Sequence, residues 1–432
     1  MWQDIRAIWA LLFGVGFMML GNGLQGTLLG LRAIYEGFST SVTGIMMSGY
    51  FIGMFLGSLL APQLVSRVGH IRVFAALASA ASIAILVHAV FINPVTWTLM
   101  RLVTGISYAG LYVVSESWLN DRASNETRGK LLSIYMVITT LGMGGGQFLL
   151  NLADPIDPDL FILVSAIVSL GLIPILLTVR PAPVFGAAEK MSVVELYRAS
   201  PLGVIATVFT GMAHGTIFGL GAVYAARKGF STEQVSIFMA CFLFGGLIFQ
   251  WPIGFVSDYI DRRRVMAAIA LSSAVLAVVI LLVPPASVIF YVLTVLLGGA
   301  SIPMYSMCVA YINDRLEPGQ IVAASGGIVM VIGIGLSTGP VAISFVMQFL
   351  GPEFFFVGIA MSLAMIFLFA IYRMGQRAAV EVEDQGPMFA TGEVGTPVAE
   401  IIAPDAVDYV EAVISGDVES LDEPSDDVER KL

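Results

Sequence analysis

Long apolar segments recur along the whole chain, and they constrain its fold more than any other feature of the sequence. Twelve of them are about 20 residues long, the length that an α-helix needs to cross roughly 30 Å of hydrocarbon. Hydrophobic residues make up 57% of the chain and charged residues only 12%, which leaves too little polar surface for a water-soluble globule. The sequence therefore predicts an all-α membrane protein with twelve transmembrane helices.

The second half of the chain repeats the first. The tetrapeptide GFST at Gly37–Thr40 recurs at Gly229–Thr232, an offset of 192 residues, and the tripeptide NDR at 120–122 recurs at 313–315, an offset of 193. Several such matches in register indicate a duplication rather than chance. We expect two pseudo-symmetric six-helix bundles, one at residues 1–179 and the other at 202–375.

Proline and charge mark the segments outside these bundles. Residues 180–201 contain three prolines and mixed charges, which predicts a cytoplasmic linker between the halves. Residues 376–432 form a polar tail with Gly and Pro, and from Glu381 onwards it holds fifteen of the 31 acidic residues but two of the 21 basic ones. Such a composition favours a mostly disordered acidic tail in the cytoplasm.

The placement of Lys and Arg predicts the orientation in the membrane. Counting up to Arg377, fifteen of these residues fall on the side of the N-terminus and three, namely Arg32, Arg227 and Lys228, fall on the other side. Because cytoplasmic loops carry the excess of positive charge, both termini should be cytoplasmic. We expect a multi-pass protein in a plasma membrane, the bacterial inner membrane, with the lipid bilayer as its surroundings.

Charge and cysteine usage exclude several other classes of protein. The formal net charge of −10 belongs to the tail, and no basic cluster typical of nucleic-acid binding is present. Cys241 and Cys308 lie inside apolar segments without the spacing of metal ligands. We expect no nucleic-acid partner, no metal and no cofactor, and a monomeric chain. A membrane-embedded enzyme is disfavoured because no catalytic cluster of His, Cys or carboxylate lies at membrane depth.

Two equivalent loops carry charges that could close one end of the bundle. The first reads QLVSRVGHIR at 63–72 and the second GFVSDYIDRRR at 254–264. Carboxylates and guanidiniums at neighbouring helix ends can form charge-assisted bonds that must break when that end opens. Ordinary positive-inside loops with incidental pairing are the alternative. The predicted cytoplasmic gate consists of Arg67, Gly69, Arg72, Glu116, Arg122, Arg128, Gly254, Asp258, Arg262 and Arg315.

These loops resemble the loop signature of the major facilitator superfamily. Ser66 stands where that family usually has Asp, and Asp261 where it has Gly. The helix number, the central linker and the duplication agree with the superfamily over residues 8–375, and the ESWLNDR segment at 116–122 is similar to the bacterial YcaD-type transporters. The resemblance implies a solute carrier with one cavity between its halves, which alternates its access by rocking them.

Arg101 is the most unusual residue of the apolar segments. An arginine inside the membrane costs roughly 2.5 to 3.5 kcal/mol on insertion scales, so it should face water or a partner. Tyr108 and Tyr112 follow at helical spacing, within roughly 20° of the same face. The alternative is an interfacial arginine that extends to water beside core tyrosines.

Other polar side chains should face the bundle interior, because an unpaired polar group in hydrocarbon is costly. His214 could exchange protons near neutral pH or donate to a backbone carbonyl, and the sequence leaves both roles open. The predicted substrate and coupling cavity consists of Asn22, Gln25, Arg101, Tyr108, Tyr112, Gln147, Asn151, His214 and Tyr305.

Together these features predict a secondary active transporter that moves a small organic solute by alternating access, coupled to protons. An uncoupled facilitator and a transporter-like receptor that signals through its tail are the alternatives.

Overall fold

A computed structural model describes residues 2–122, 125–177, 191–376, 380–382, 385, 386 and 388, without the side chains of residues 2–8, 121, 122, 125–128, 318, 319 and 322. All regular structure in this part of the chain is helical. The helices are α1 (Trp2–Tyr35), α2 (Thr40–Val68), α3 (His70–Val90), α4 (Pro94–Arg122), α5 (Asn125–Phe148), α6 (Asp159–Leu176), α7 (Val193–Ala199), α8 (Pro201–Arg227), α9 (Thr232–Tyr259), α10 (Arg262–Ile280), α11 (Val288–Ser301), α12 (Met304–Asn313), α13 (Pro318–Leu350) and α14 (Phe354–Met374).

The described helices form twelve segments that cross the bundle. Eleven of these segments are long and apolar enough to cross a membrane. The twelfth is α4, which has 29 residues but a lower mean hydropathy because it carries Arg101, Glu116 and several tyrosine and small polar residues. The predicted all-α membrane fold is therefore confirmed.

Two details differ from the sequence prediction. One of the twelve apolar segments expected to form a single helix is two helices, α11 and α12, which are separated where Pro303 cannot donate a backbone hydrogen bond. The predicted linker contains the short helix α7. Its start is stabilised by a capping box, in which the backbone N–H of Glu195 donates to the Ser192 hydroxyl and the Ser192 N–H donates to the Glu195 carboxylate.

Equivalent turns begin the second helix of each half. Gly37 and Gly229 have φ values of 78° and 75°, in the left-handed region that favours glycine. Two residues later, Ser39 and Ser231 cap α2 and α9 by accepting hydrogen bonds from backbone N–H groups. The two halves thus share local geometry as well as sequence.

Each half also contains the same close crossing of two helices. A Cβ on Gly105 of α4 would lie 2.9 Å from the Cα of Gly53 in α2, and a Cβ on Gly298 of α11 would lie 2.7 Å from the Cα of Phe242 in α9. Glycine is required there because the backbones touch. This shared crossing confirms the prediction of two pseudo-symmetric six-helix bundles.

The two halves meet along three main pairs of helices, α2 with α13, α5 with α9 and α1 with α8. We call the end of the bundle that contains Gly69, Arg262, Arg315 and α7 the basic end, and the other, which contains Gly37 and Gly229, the opposite end. Twelve crossings within the described chain place the start of α1 and the end of α14 together at the basic end. Most of the predicted acidic tail lies outside the described residues.

Candidate functional site

A small polar cavity lies between the two halves at the middle of the bundle. Its volume is about 50 Å³. Helices α1, α2, α4 and α5 supply its polar side chains, and α8 and α9 supply apolar ones. The side chains around it include Asn22, Thr27, Tyr50, Phe51, Arg101, Tyr112, Met143, Gln147, Phe218, Met239 and Leu243.

Among the described residues of this lining, Arg101 is the only charged one. Its side chain is 3% exposed, and its guanidinium carbon lies 4.3 Å from the centroid of the Tyr50 ring, close enough for a cation–π interaction. The buried Nε and Nη1 atoms have no hydrogen-bond partner among the described residues. The cavity therefore contains a positive charge that the described protein does not neutralise.

Amide side chains form the rest of the polar wall. The Asn22 amide donates to the Tyr50 hydroxyl at 3.0 Å. The Gln147 amide donates to the Gly23 carbonyl at 3.0 Å, and its oxygen accepts a hydrogen bond from Thr27 at 2.5 Å. These bonds hold both amides at fixed positions on α1 and α5, in the same cavity lining as Arg101.

Four of the nine predicted cavity residues line this cavity, namely Asn22, Arg101, Tyr112 and Gln147. The other five lie elsewhere. The Gln25 amide is 3.5 Å from the Thr104 hydroxyl, and Tyr108 is buried with its hydroxyl donating to the Met18 carbonyl. Tyr305 is buried within the second half.

The remaining two predicted cavity residues also make contacts outside it. His214 is fully buried, and its Nε2 donates to the carbonyl of Ser301 at 2.9 Å. A carbonyl only accepts, so Nε2 carries a proton, and His214 contributes a packing contact within its own half. Asn151 lies near the opposite end, where its amide donates to the Ser236 hydroxyl of the other half at 2.9 Å.

A wide cleft of about 600 Å³ separates α5 from α9 at the basic end. Tyr112 and Met143 line both this cleft and the small cavity. These two side chains therefore stand between the cavity and the cleft. Charged groups at the cleft include Glu116, Lys130 and Asp258.

The halves are closed against each other at the opposite end. The backbone N–H of Thr40 donates to the Gln348 side chain at 2.8 Å. A Cβ on Gly44 would lie 2.7 Å from the Pro340 carbonyl oxygen and closer still to the Ser344 side chain. The structure thus represents a state open at the basic end and sealed at the opposite end.

A charged cluster occupies the basic end of the second half. The Arg262 guanidinium is buried and contacts Asp314 at 2.5 Å and Asp258 at 3.2 Å. It also donates to the carbonyl of Gly386, and the backbone N–H of Met388 donates to Asp258 at 2.9 Å. Burial raises the pKa of the Asp314 carboxyl from its ordinary value, and the Arg262 charge opposes that rise.

The other predicted gate residues of the second half lie close to this cluster. The Arg315 guanidinium stacks on the Tyr311 ring, with 3.8 Å between its central carbon and the ring centroid. Gly254 lies beside the Met388 side chain, and both line the wide cleft.

The basic end of the first half is arranged differently. Arg67 and Arg72 are exposed, and Gly69 adopts a φ of 87° where α2 turns into α3. Glu116 is buried and accepts a hydrogen bond from the Tyr135 hydroxyl at 3.2 Å. The side chains of Arg122 and Arg128 lie outside the described residues.

Sequence reasoning missed several residues of these sites. Tyr50, whose ring lies under the Arg101 guanidinium, is a single aromatic residue that no sequence pattern distinguishes. His70 is buried where the 192-residue offset places Arg262, and its ring nitrogen lies 3.2 Å from the Ser117 hydroxyl. That offset could have identified His70, whereas the contacts of Gly386 and Met388 with the cluster had no counterpart in the repeat.

The described part of the chain forms twelve spanning segments in two symmetric halves, with a polar cavity between them that opens toward one end. This arrangement defines a membrane transporter of the twelve-helix type. The model of the Major Facilitator Superfamily matches residues 11–233 and 203–401. The chain therefore belongs to this superfamily, and the resemblance noted from its loops is confirmed.

Sequence similarity to individual transporters supports this family membership. The chain is 26% identical over 374 residues to the uncharacterized MFS-type transporter YcaD of Escherichia fergusonii, a match that covers 85% of the chain and 96% of that protein. It is 28% identical over 376 residues to YcaD of Escherichia coli O7:K1, with the same coverage.

Solved structures share the fold. The nucleoside transporter NupG superposes with a TM-score of 0.71 at 15% identity, over 87% of this chain and all of that one. The E. coli fucose:proton symporter FucP superposes with a TM-score of 0.55 at 16% identity, over 86% of this chain and 99% of that one.

Proposed function

We propose that the protein is a secondary active transporter that moves a small organic solute by alternating access, coupled to protons. One observation carries this proposal. The polar cavity between the halves is sealed toward the opposite end and shares Tyr112 and Met143 with the wide cleft at the basic end. A site at the interface of two repeats, accessible from one side at a time, is what alternating access requires.

The moving parts in this proposal are the two predicted halves, residues 1–179 and 202–375, which rock as a monomer within the bilayer. The basic end faces the cytoplasm of a bacterial cell, with the linker at 180–201 and both termini on that side. The excess of Lys and Arg at this end supports the orientation. The pairing of Arg262 with Asp258 and Asp314 supports the proposed gate, since such a cluster must rearrange when the halves rock.

Glu116 is the proton-binding group of this proposal. It is buried and lines the cleft through which the solute would pass, and a carboxyl group can bind and release a proton. His214 is less suited, because it lies outside the cavity lining and its Nε2 proton is held by Ser301. The fold neighbour FucP is a fucose:proton symporter, which supports coupling to protons.

The proposal is tested with purified protein in liposomes. The vesicles are incubated in a small-molecule extract of the producing cells with and without an imposed pH gradient, and their contents are compared with those of empty vesicles by mass spectrometry. We expect at least one organic solute to be concentrated only when the gradient is present. Equal internal and external concentrations with the gradient would indicate an uncoupled facilitator, and no uptake would contradict transport.

The orientation is tested with single cysteines in a chain that carries Cys241→Ser and Cys308→Ser. A membrane-impermeant maleimide added to intact cells should label Asp157→Cys at the opposite end and should not label Glu195→Cys in α7. The reverse pattern would overturn the orientation.

A second candidate function is a receptor that signals through the tail. The contacts of Gly386 and Met388 with the Arg262 cluster favour it, because the state of the bundle could then change what the tail presents. Flux through the vesicles separates a carrier from such a receptor.

A further inference from the structure

Arg101 is a buried cation without a counterion in the described structure. It makes no hydrogen bond or ion pair with any described residue, and two of its guanidinium nitrogens are both buried and unpartnered. Its one described attraction is to the face of the Tyr50 ring, which is weaker than a charge-assisted pair. A buried polar group without a partner is costly, so the arrangement points to a partner that comes from outside the chain.

No described acidic side chain is placed to neutralise Arg101. The part of the cavity lining that the structure describes contains no Asp or Glu. Glu116 lies on the same helix but fifteen residues further along, roughly 22 Å at 1.5 Å per residue, and it accepts a hydrogen bond from Tyr135. An internal ion pair between these two residues is therefore excluded by distance in this state.

The other residues that line the cavity indicate what kind of molecule could bind beside Arg101. Asn22 and Gln147 contribute amide groups to the same lining, and Phe51, Phe218 and Leu243 contribute apolar side chains. One arginine balances one negative charge, whereas a phosphate dianion would need further cations that the described lining does not contain. A guanidinium also matches the two oxygens of a carboxylate geometrically.

We propose that the cavity binds a small organic carboxylate with an apolar or aromatic body, and that Arg101 is the residue that selects its charge. This inference rests on the proposed function, because it assigns the solute class to the same site. The carboxylate lies on the guanidinium. Because the small cavity measures only about 50 Å³, the apolar body extends past Tyr112 and Met143 into the wide cleft of about 600 Å³.

The inference is tested by measuring binding to the protein, which does not require transport. Wild-type protein and the variant Arg101→Gln are placed in lipid nanodiscs, incubated with a small-molecule extract of the producing cells, washed and denatured, and the released solutes are quantified by mass spectrometry. We expect organic monocarboxylates to be enriched on the wild type and reduced about 10-fold or more on Arg101→Gln, since a charge-assisted hydrogen bond contributes at least one factor of ten. Neutral and cationic solutes should be recovered equally from both.

A second variant guards against a folding defect. Arg101→Lys keeps the charge but lacks the planar fork, so it should retain an intermediate share of the same carboxylates. Equal recovery of carboxylates from wild type and Arg101→Gln, including recovery of none from either, overturns the inference, as does selective recovery of neutral or cationic solutes from the wild type.

The two proposals fail in different ways. If carboxylates bind through Arg101 in nanodiscs but no vesicle concentrates them, the binding inference stands and the transport proposal fails. If vesicles concentrate neutral solutes, and Arg101→Gln does so equally well, transport stands and the carboxylate inference fails.

Discussion

The guanidinium of Arg101 lies over the ring of Tyr50, with 4.3 Å between its central carbon and the ring centroid. Arg101 and Arg262 are both buried, but their surroundings are opposite. Arg262, at the basic end, is held between the carboxylates of Asp258 and Asp314. The buried Nε and Nη1 atoms of Arg101 have no hydrogen-bond partner among the described residues, whereas Arg262 has two carboxylate partners.

This contrast predicts opposite effects of the same substitution on stability. Arg262→Gln should lower the thermal unfolding temperature in detergent by several degrees, since it leaves the buried Asp314 unpaired, at a cost of about 3 kcal/mol. Arg101→Gln should unfold at the wild-type temperature or above, because it removes a buried cation that makes no described hydrogen bond.

Each variant is the matched control of the other, since both replace a buried arginine by the same amide. If Arg101→Gln unfolds at as low a temperature as Arg262→Gln, then Arg101 has a structural partner within the protein, and its assignment to the solute loses its physical basis.

Coupling is predicted to depend on Glu116 and not on His214. Vesicles with Glu116→Gln should let the solutes of the wild type equilibrate but should no longer concentrate them under a pH gradient, because the amide cannot bind and release a proton. His214→Gln should still concentrate them, since His214 donates to Ser301 outside the cavity lining.

The comparison of the two variants decides between the two residues. Loss of accumulation in His214→Gln with retention in Glu116→Gln would assign the coupling role to the histidine, and retention in both would remove both residues from the coupling step.

The sequence predicted the membrane fold and the duplication because both depend on patterns that extend over many residues. Apolar length determined the spanning segments, and the offset of 192 residues paired Gly37 with Gly229. The break between α11 and α12 was not predicted, because Pro303 lies inside an otherwise continuous apolar run.

The candidate site was predicted less completely. Asn22 and Gln147 were identified because polar groups at membrane depth must face the interior. Arg101 was identified because a charge there needs water or a partner, and Tyr112 because it lies on the same helix face as Arg101. The same rule could not separate residues that line the cavity from residues buried elsewhere in the bundle. His214 and Tyr108 also face the interior, but they donate to backbone carbonyls outside the cavity. Side-chain direction within the bundle decides that question, and it depends on packing between helices far apart in sequence.

Closure of the opposite end should depend on Gly44. In Gly44→Leu the added side chain would occupy the space of Ser344 and Pro340, so α2 and α13 could not approach each other there. We expect spin labels on Tyr35→Cys and Glu233→Cys, at exposed sites near the opposite end, to move apart relative to the same labels without Gly44→Leu. Double electron–electron resonance measures this distance.

Gly326→Leu is the control for that experiment. It lies on α13 with nothing within 4 Å of the added Cβ, so it should leave the label distances unchanged. Unchanged distances in Gly44→Leu as well would show that the contact of α2 with α13 does not hold that end closed.

The last prediction concerns two truncations of the tail. All tail contacts with the Arg262 cluster that the structure describes are made by Gly386 and Met388. A chain that ends after Met388 should therefore concentrate its solutes and unfold like the full-length protein. A chain that ends after Gln376 lacks the backbone N–H groups that donate to Asp258 and Asp314, but it keeps the pairing of both carboxylates with Arg262. Its unfolding temperature should therefore fall by less than that of Arg262→Gln. If the chain truncated after Met388 no longer accumulated its solutes, residues 389–432 would act in transport. That result would also favour a receptor that signals through its tail.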